Sequence, residues 1–303
     1  MAGSLRDSRP SPGLERFIRW SSLCVARSPQ WLVNSASLFL SILWFDILRL
    51  RRRLATENVG IAFPDFSEQE KTAIARSSVR GLCRSFFEFV AMPSLSAKWV
   101  EENVIFEGLE YLPKEGKGAL LLTLHLGNGD FACGMMARRG IPFYLIPKDF
   151  SSQLFDRWYN GVRWMMGTRT IPPHDPQTAF KILGALKRGE HVIFALDQHM
   201  GRPYGIATRF FGRRVGTAYG MALFQSKTRA PVVPLYTYRD SLGKTHIICE
   251  PPLDLGLPEN LSKQEQLTAL TQKFNDKIEE LVRRYPRHWF WVHRRWKTFR
   301  EDD

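Results

Sequence analysis

The sequence predicts an α/β fold: a central, largely parallel sheet flanked by helices and preceded by a separate helical region. Apolar segments at 118–125, 141–147, 191–197 and 231–238 alternate with helical stretches near 130–139, 153–166, 176–188 and 216–228, the pattern of strands joined by crossover helices. Two of these segments stop at polar residues, His125 in one and Asp197-Gln198 in the other. The N-terminal third differs in composition, being apolar and arginine-rich by turns.

At 303 residues the chain can hold one large α/β domain with an appendage, and 44% apolar residues suit a globular core. Lys and Arg number 43 against 30 Asp and Glu, a net charge of +13. That balance favours anionic partners: phosphate groups, an acidic membrane surface, an acidic carrier protein or nucleic acid. Cys24, Cys83, Cys133 and Cys249 show no CxxC spacing, so neither a zinc site nor a disulfide framework is indicated.

In chain order, residues 1–30 read as a basic, disordered N-terminus, opening with a Ser, Pro, Gly and Arg-rich stretch. No cleavable signal is evident, because a compact apolar core after a basic start is lacking. Residues 31–95 read as a helical, membrane-associated region. Trp31 to Leu50 is apolar but carries Asn34, Asp46 and Arg49, which is marginal for a span wanting about 20 apolar residues. Arginines flank it on both sides (Arg16, Arg19 and Arg27, then Arg51, Arg52 and Arg53), so a helix lying in the interface fits better than a crossing one. An ordinary core helix with a basic end is the alternative. Ser67-Glu-Gln-Glu70 is a capping box that opens a helix on Ile74, Leu82, Phe86 and Phe89, with Arg76, Arg80 and Arg84 as a solvated stripe. Residues 96–303 read as the catalytic α/β domain, whose last long helix opens at a second box, Ser262-Lys-Gln-Glu265, and runs to about Arg284.

The segment Ala119-Leu-Leu-Leu-Thr-Leu-His125-Leu-Gly-Asn-Gly-Asp130 drives a buried strand into a His and a turn where Gly127 and Gly129 permit a tight path into a helix. Strand ends are where α/β proteins put chemistry. A carboxylate on one imidazole nitrogen fixes the tautomer and leaves the other free to take a proton, so His125 and Asp130 are expected to face each other as base and orienter. A plain structural histidine is the competing reading. Asp197 and Gln198 are expected at the same sheet edge as His125, as substrate-binding residues. Phe210-Phe-Gly-Arg213-Arg214, then Gly216-Thr217-Ala218 opening a helix, offers a basic turn and free amides to an anionic group, though a cap and surface turn fit as well. The tail Trp289-Phe-Trp-Val-His293-Arg294-Arg295-Trp296-Lys297 interleaves aromatics with cations, which suits a membrane interface, a phosphorylated glycolipid or nucleic-acid stacking.

Taken together, the His125-x4-Asp130 motif, the strand with Asp197-Gln198, the Phe-Phe-Gly turn with Thr217 downstream, Ala230-Pro-Val-Val-Pro234 and Trp291-Val-His-Arg-Arg-Trp-Lys297 resemble the bacterial lipid A late acyltransferases. These are the lauroyl and myristoyl transferases of lipopolysaccharide assembly, within the lysophospholipid acyltransferase superfamily. Arg51-Arg-Arg through Asn58-Val-Gly-Ile-Ala-Phe-Pro64 adds to the likeness, which runs from about residue 30 to 300. The resemblance implies a glycerolphosphate acyltransferase-like fold at the cytoplasmic face of a bacterial inner membrane. It implies transfer of a fatty acyl chain from acyl carrier protein or acyl-CoA to a hydroxyl of an anionic lipid A precursor, with His125 and Asp130 catalytic. It implies no cofactor, no metal and no nucleic acid. Arg163, with Gly167, matches a family arginine and becomes a substrate-binding residue; Ile146 stands where relatives often have Arg before Pro, and Lys148 is the substitute charge. Backbone amides near Gly127 to Gly129 join Arg163 as oxyanion donors.

Two other outcomes stay open. Asp130 replaces the Glu common in the lipid A branch and is shared with glycerophosphate and phosphatidylinositol mannoside acyltransferases, which makes a mannoside or lysophospholipid an alternative acceptor. Gly127-Asn-Gly129-Asp-Phe-Ala132, with Asp149 downstream, also has the shape of a dinucleotide fingerprint, which would make the protein an oxidoreductase. That class, like a non-enzymatic basic binder, leaves part of the chain without a role. No G-x-S-x-G elbow and no P-loop is present.

Overall fold

The computed structural model describes residues 9–114, 116–147, 150–173, 175–258 and 260–299. Helices come first: α1 (Pro12–Arg27), α2 (Gln30–Ile42), α3 (Arg52–Ala62) and α4 (Glu68–Ala91). The helix α1 occupies a stretch expected to be disordered. Pro12 in its first turn is pre-set for a helix, Glu15 ties to Arg9 and Arg19, and Ile18 is buried, so one anchored face overrides a polar, Pro-rich composition. The end of α2 widens into a π turn, Leu43–Ile47, where Asp46 pairs with Arg76 at 2.8 Å and Arg52 at 3.7 Å. Trp31, Phe39 and Ile47 stay 67%, 63% and 63% exposed. Gln30–Ile47 meets Arg52–Ala62 at 88°, and no single helix among the described residues is long and apolar enough to cross a membrane. The expected capping box opens α4, with Ser67 and Glu70 each accepting the other's backbone amide.

Next, α5 (Ala97–Asn103) leads into the α/β region. Its elements in order are β1 (Val104–Glu107), β2 (Leu120–Thr123), α6 (Gly129–Arg138), β3 (Phe143–Leu145), α7 (Gln153–Met165), β4 (Arg169–Thr170), α8 (Thr178–Lys187), β5 (His191–Ala195), β6 (Gly205–Phe210), β7 (Arg213–Ala218), α9 (Gly220–Thr228), β8 (Val232–Arg239), β9 (Thr245–Cys249) and α10 (Lys263–Arg284). Among the described residues, one 7-stranded sheet has the order β1-β9-β8-β2-β5-β3-β4, every neighbouring pair being parallel except β8 with β9. The expected strands are β2, β3, β5 and β8; β1, β4 and β9 extend the sheet beyond them. At the centre, β2 is buried on both faces, which is why it reads as an unbroken apolar run. Leu120, Leu122 and Leu124 belong to the same side of the core as Phe274 and Ile278 of α10, while Leu121 belongs to the other side, with Phe131 and Met135 of α6.

The turn expected to open a helix at Gly216 is instead a hairpin. Phe210 pairs with Arg213, and the two turn residues Phe211 and Gly212 have φ of 49° and 71°, the left-handed pair a tight hairpin requires. Gly216, Thr217 and Ala218 therefore pair with β6 rather than offering helix-start amides, and the helix α9 begins at Gly220. The aromatic and basic tail is also not a surface feature. Trp289, Trp291 and Arg295 are each 0% exposed; both indole nitrogens and both terminal nitrogens of the guanidinium bond inside the protein.

Candidate active site

Strand register builds the site. Thr123 of β2 lies opposite Ala195 of β5, and Leu196 N donates to Thr123 O, so the pairing carried two residues further brings His125 beside Asp197. His125 N donates to Asp197 Oδ2 at 2.9 Å, and its Nδ1 lies 2.8 Å from Oδ1. Trp289 Nε1 donates to Oδ2 at 2.8 Å. Burial opposes ionisation of Asp197, but the charge and hydrogen bond of His125, with His293 nearby, hold its carboxyl well below the usual range. An ionised Asp197 accepts the Nδ1 proton, which leaves a lone pair on Nε2. Gln198 Nε2 is 3.3 Å from that nitrogen. Burial lowers the pKa of the His125 ring, and the charge and hydrogen bond of Asp197, with the charge of Asp130, outweigh it, so the net direction is upward. The ring remains reachable, its side chain keeping 44% of its surface.

Asp130 is therefore not the carboxylate on the ring, contrary to the expected pairing. Tyr159 Oη donates to its Oδ2 at 2.7 Å and Arg163 Nε to its Oδ1 at 2.7 Å. Tyr159 and Arg163 stand four residues apart on α7, so one helix face presents both. Burial works against the Asp130 charge, and Arg163 and Tyr159 overcome it, keeping the carboxyl below its ordinary value. Asp130 acts on His125 through charge rather than through a hydrogen bond. The reason is directional: the first turn of α6 hands Asp130 to α7, while the β2 and β5 register delivers Asp197 to the imidazole.

Gly127 has φ of 67°, and a Cβ on it would fall 2.4 Å from Thr237 Oγ1. Its amide donates to His288 O, and that of Asn128 to Thr237 Oγ1, so neither is free for an oxyanion. The Asn128 side chain caps α6 at Phe131 N. Around Gly129 there is open space. Lys148 and Asp149 lie outside the described residues. Burial pushes the thiols of Cys133 and Cys249 up to about 12, which removes them as nucleophiles at neutral pH. Among the described residues no His, Cys, Asp and Glu group is arranged to hold a metal. Sequence reasoning missed Tyr159, for which the i, i+4 spacing to Arg163 was the available signal, and it missed the inward roles of Trp289 and Arg295.

A model of the bacterial lipid A biosynthesis acyltransferase family matches residues 17–298. The chain belongs to this family. Similar proteins include a lipid A biosynthesis acyltransferase of Haemophilus influenzae, 23% identical over 92% of this chain and 91% of its own length. The lipid A biosynthesis lauroyltransferase of Escherichia coli is 25% identical over 90% of this chain and 88% of its own, and the myristoyltransferase of the same organism 24% over 82% and 75%. The crystal structure of the 1-acyl-sn-glycerophosphate acyltransferase PlsC from Thermotoga maritima matches with a TM-score of 0.34 and 14% identity over 84% of this chain and 94% of that one, too loosely to carry an argument. As a lipid A family acyltransferase the chain is an enzyme of acyl transfer, which displaces the dinucleotide reading of a glycine turn whose Gly127 amide is already taken.

Proposed function

We propose that this lipid A family acyltransferase moves a fatty acyl chain from the thioester of acyl carrier protein or acyl-CoA to a hydroxyl of a lipid A precursor, with His125 as general base. The observation that carries this reading is the His125 ring, bonded through Nδ1 to buried Asp197 yet reachable from outside. The acceptor hydroxyl gives its proton to Nε2 as its oxygen attacks the thioester carbonyl, and Asp197 steadies the imidazolium. Collapse of the tetrahedral adduct expels the thiolate, which takes the proton back. Arg163, fixed by Asp130 and by Asn160, supplies positive charge suited to the developing oxyanion or to an acceptor phosphate. The net charge of +13 and the exposed Trp31, Phe39 and Ile47 support work on an anionic lipid surface, the cytoplasmic face of a bacterial inner membrane. Asp130 in place of Glu supports a second reading, with a phosphatidylinositol mannoside or lysophospholipid as acceptor.

The test is acyl transfer from radiolabelled acyl carrier protein and acyl-CoA to a panel of these lipids, comparing wild type with His125→Ala in detergent-solubilised membranes. Transfer to the lipid A precursor that disappears in the variant is the expected result. Transfer only to a mannoside or lysophospholipid selects the second reading, and undiminished transfer by His125→Ala overturns the mechanism.

A further inference from the structure

Arg295 is a buried cation with no carboxylate in bonding distance among the described residues. Its Nη1 donates to Gln198 O at 3.1 Å and Gly216 O at 2.8 Å, and its Nη2 to Thr217 Oγ1 at 2.8 Å and Asn275 Oδ1 at 2.9 Å. The guanidinium lies 4.9 Å from the centre of the Phe210 ring, and its Nε has no partner. An unpaired charge held away from water is costly, and an apolar side chain would fill such a place more cheaply. Burial draws the pKa of Arg295 down to about 10 even with the charge of Asp197 nearby acting in the opposite direction. What the arginine does that an apolar residue cannot is hold the backbone of Gln198 against the β6 and β7 hairpin and α10 at once.

Gln198 is the residue whose fixing matters to the chemistry. Asp197 accepts a hydrogen bond from the Nδ1–H of His125, so Nε2 presents a lone pair, and the only hydrogen that the side-chain nitrogen of Gln198 can offer it is an amide N–H. Resting on the reading of His125 as base, we propose that Gln198 is a positioning residue whose amide keeps Nε2 an acceptor until the substrate hydroxyl replaces it, and that Arg295 is the buried anchor that sets Gln198 at that distance. Asp197 and Gln198 then grip the two nitrogens of one ring from adjacent positions in the chain, and Arg295 fixes the second grip.

The experiment measures acyl transfer against pH for Gln198→Ala, Gln198→Glu, Arg295→Met and the double variant Gln198→Ala with Arg295→Met, alongside NMR titration of carbon-labelled histidine. The charges that act on His125, Asp197 and Asp130 with its partner Arg163, stay in place in all of these, and the neighbouring His293 is neutral near pH 7; Arg295→Met also removes a cation that acts on Asp197 and His293, so the titration arm rests on Gln198→Glu. A carboxylate beside Nε2 stabilises the imidazolium, so Gln198→Glu is expected to raise the acidic limb of kcat/KM and the His125 titration by about one pH unit or more. Gln198→Ala and Arg295→Met are each expected to lower kcat roughly tenfold, and the double variant no further than the worse single. Multiplying losses in the double variant would make Arg295 a structural residue only. An unmoved titration in Gln198→Glu would overturn the assignment of Gln198, and this arm stands even if Arg295→Met does not fold. If His125→Ala is active in the same assay, the base reading itself has failed; if it is inactive and Gln198→Glu titrates normally, only the present proposal has.

Discussion

Trp289 and His125 share one carboxylate: the indole N–H donates to Asp197 Oδ2 and the imidazole Nδ1 meets Oδ1, each at 2.8 Å. Replacing Trp289 by Phe removes one ring of a fully buried indole and leaves a fully buried oxygen with one donor fewer. The expected loss is about 1–3 kcal/mol in urea unfolding, together with a fall in activity because Asp197 is less firmly held. Unchanged unfolding would mean that water replaces the indole.

Asp197 and Asp130 separate by their pH profiles. The ring must be neutral to accept a proton, so activity falls as pH drops through the His125 pKa, which lies above the ordinary histidine value. Asp197→Asn removes the charge that raised it, and burial then pulls the acidic limb to lower pH while kcat drops by about 10² to 10⁴. Asp130→Asn acts through charge alone, so its limb moves in the same direction by less. A larger shift from Asp130→Asn would reverse the two roles.

Breaking the ion pair between α6 and α7 is expected to be costly in a different way. Arg163 and Asp130 keep 10% and 21% of their side-chain surface, and removing one partner of such a pair destabilises by about 3–5 kcal/mol. Arg163→Met should therefore lower the melting temperature more than the double variant with Asp130→Asn, in which no charge is stranded. Equal losses would show that Arg163 contributes packing rather than charge.

Stability should fall on mild acidification. Burial holds His191 and His293 down to about 4, whereas unfolded histidine titrates near 6.5. Below the unfolded value only the unfolded chain takes up these protons, so stability is lost as pH falls from about 6.5 and the loss levels off near 4, at roughly 3 kcal/mol for each ring. His191 accepts from Ala119 N through Nδ1, an acceptor that glutamine can imitate. His191→Gln should flatten the pH dependence of urea unfolding, and an unchanged slope would exclude His191 as a source.

What the sequence discloses of this fold follows from how local each signal is. β2, β5 and both capping boxes are legible because the apolar run or the Ser-x-x-Glu spacing lies within a few residues. β4 spans only Arg169–Thr170 and owes its existence to a neighbour, so it has no pattern of its own. Asp130 attracted the orienter's role because it is five residues from His125, while Asp197, 72 residues away, reaches the ring through a register that no spacing displays. The tail misled for a related reason: a run of Trp and Arg reads alike whether it meets lipid or the acceptors Asp197, Thr217 and Asn275.

The segment after α10 also ties the backbone of the turn that carries His125. Phe290 N donates to His125 O at 3.0 Å, Gly127 N to His288 O at 2.9 Å, and Trp289 bridges Leu126. These residues are made after every strand of the sheet, and domains acquire structure as they emerge during synthesis. A chain interrupted between α10 and Trp289 would own all its strands yet lack the partners that hold His125, Gly127 and Asp197. Synthesis of the segment after α10 thus doubles as a licence to work under the proposed mechanism, so a product stopped short of it would occupy the place of the enzyme with an unbraced His125.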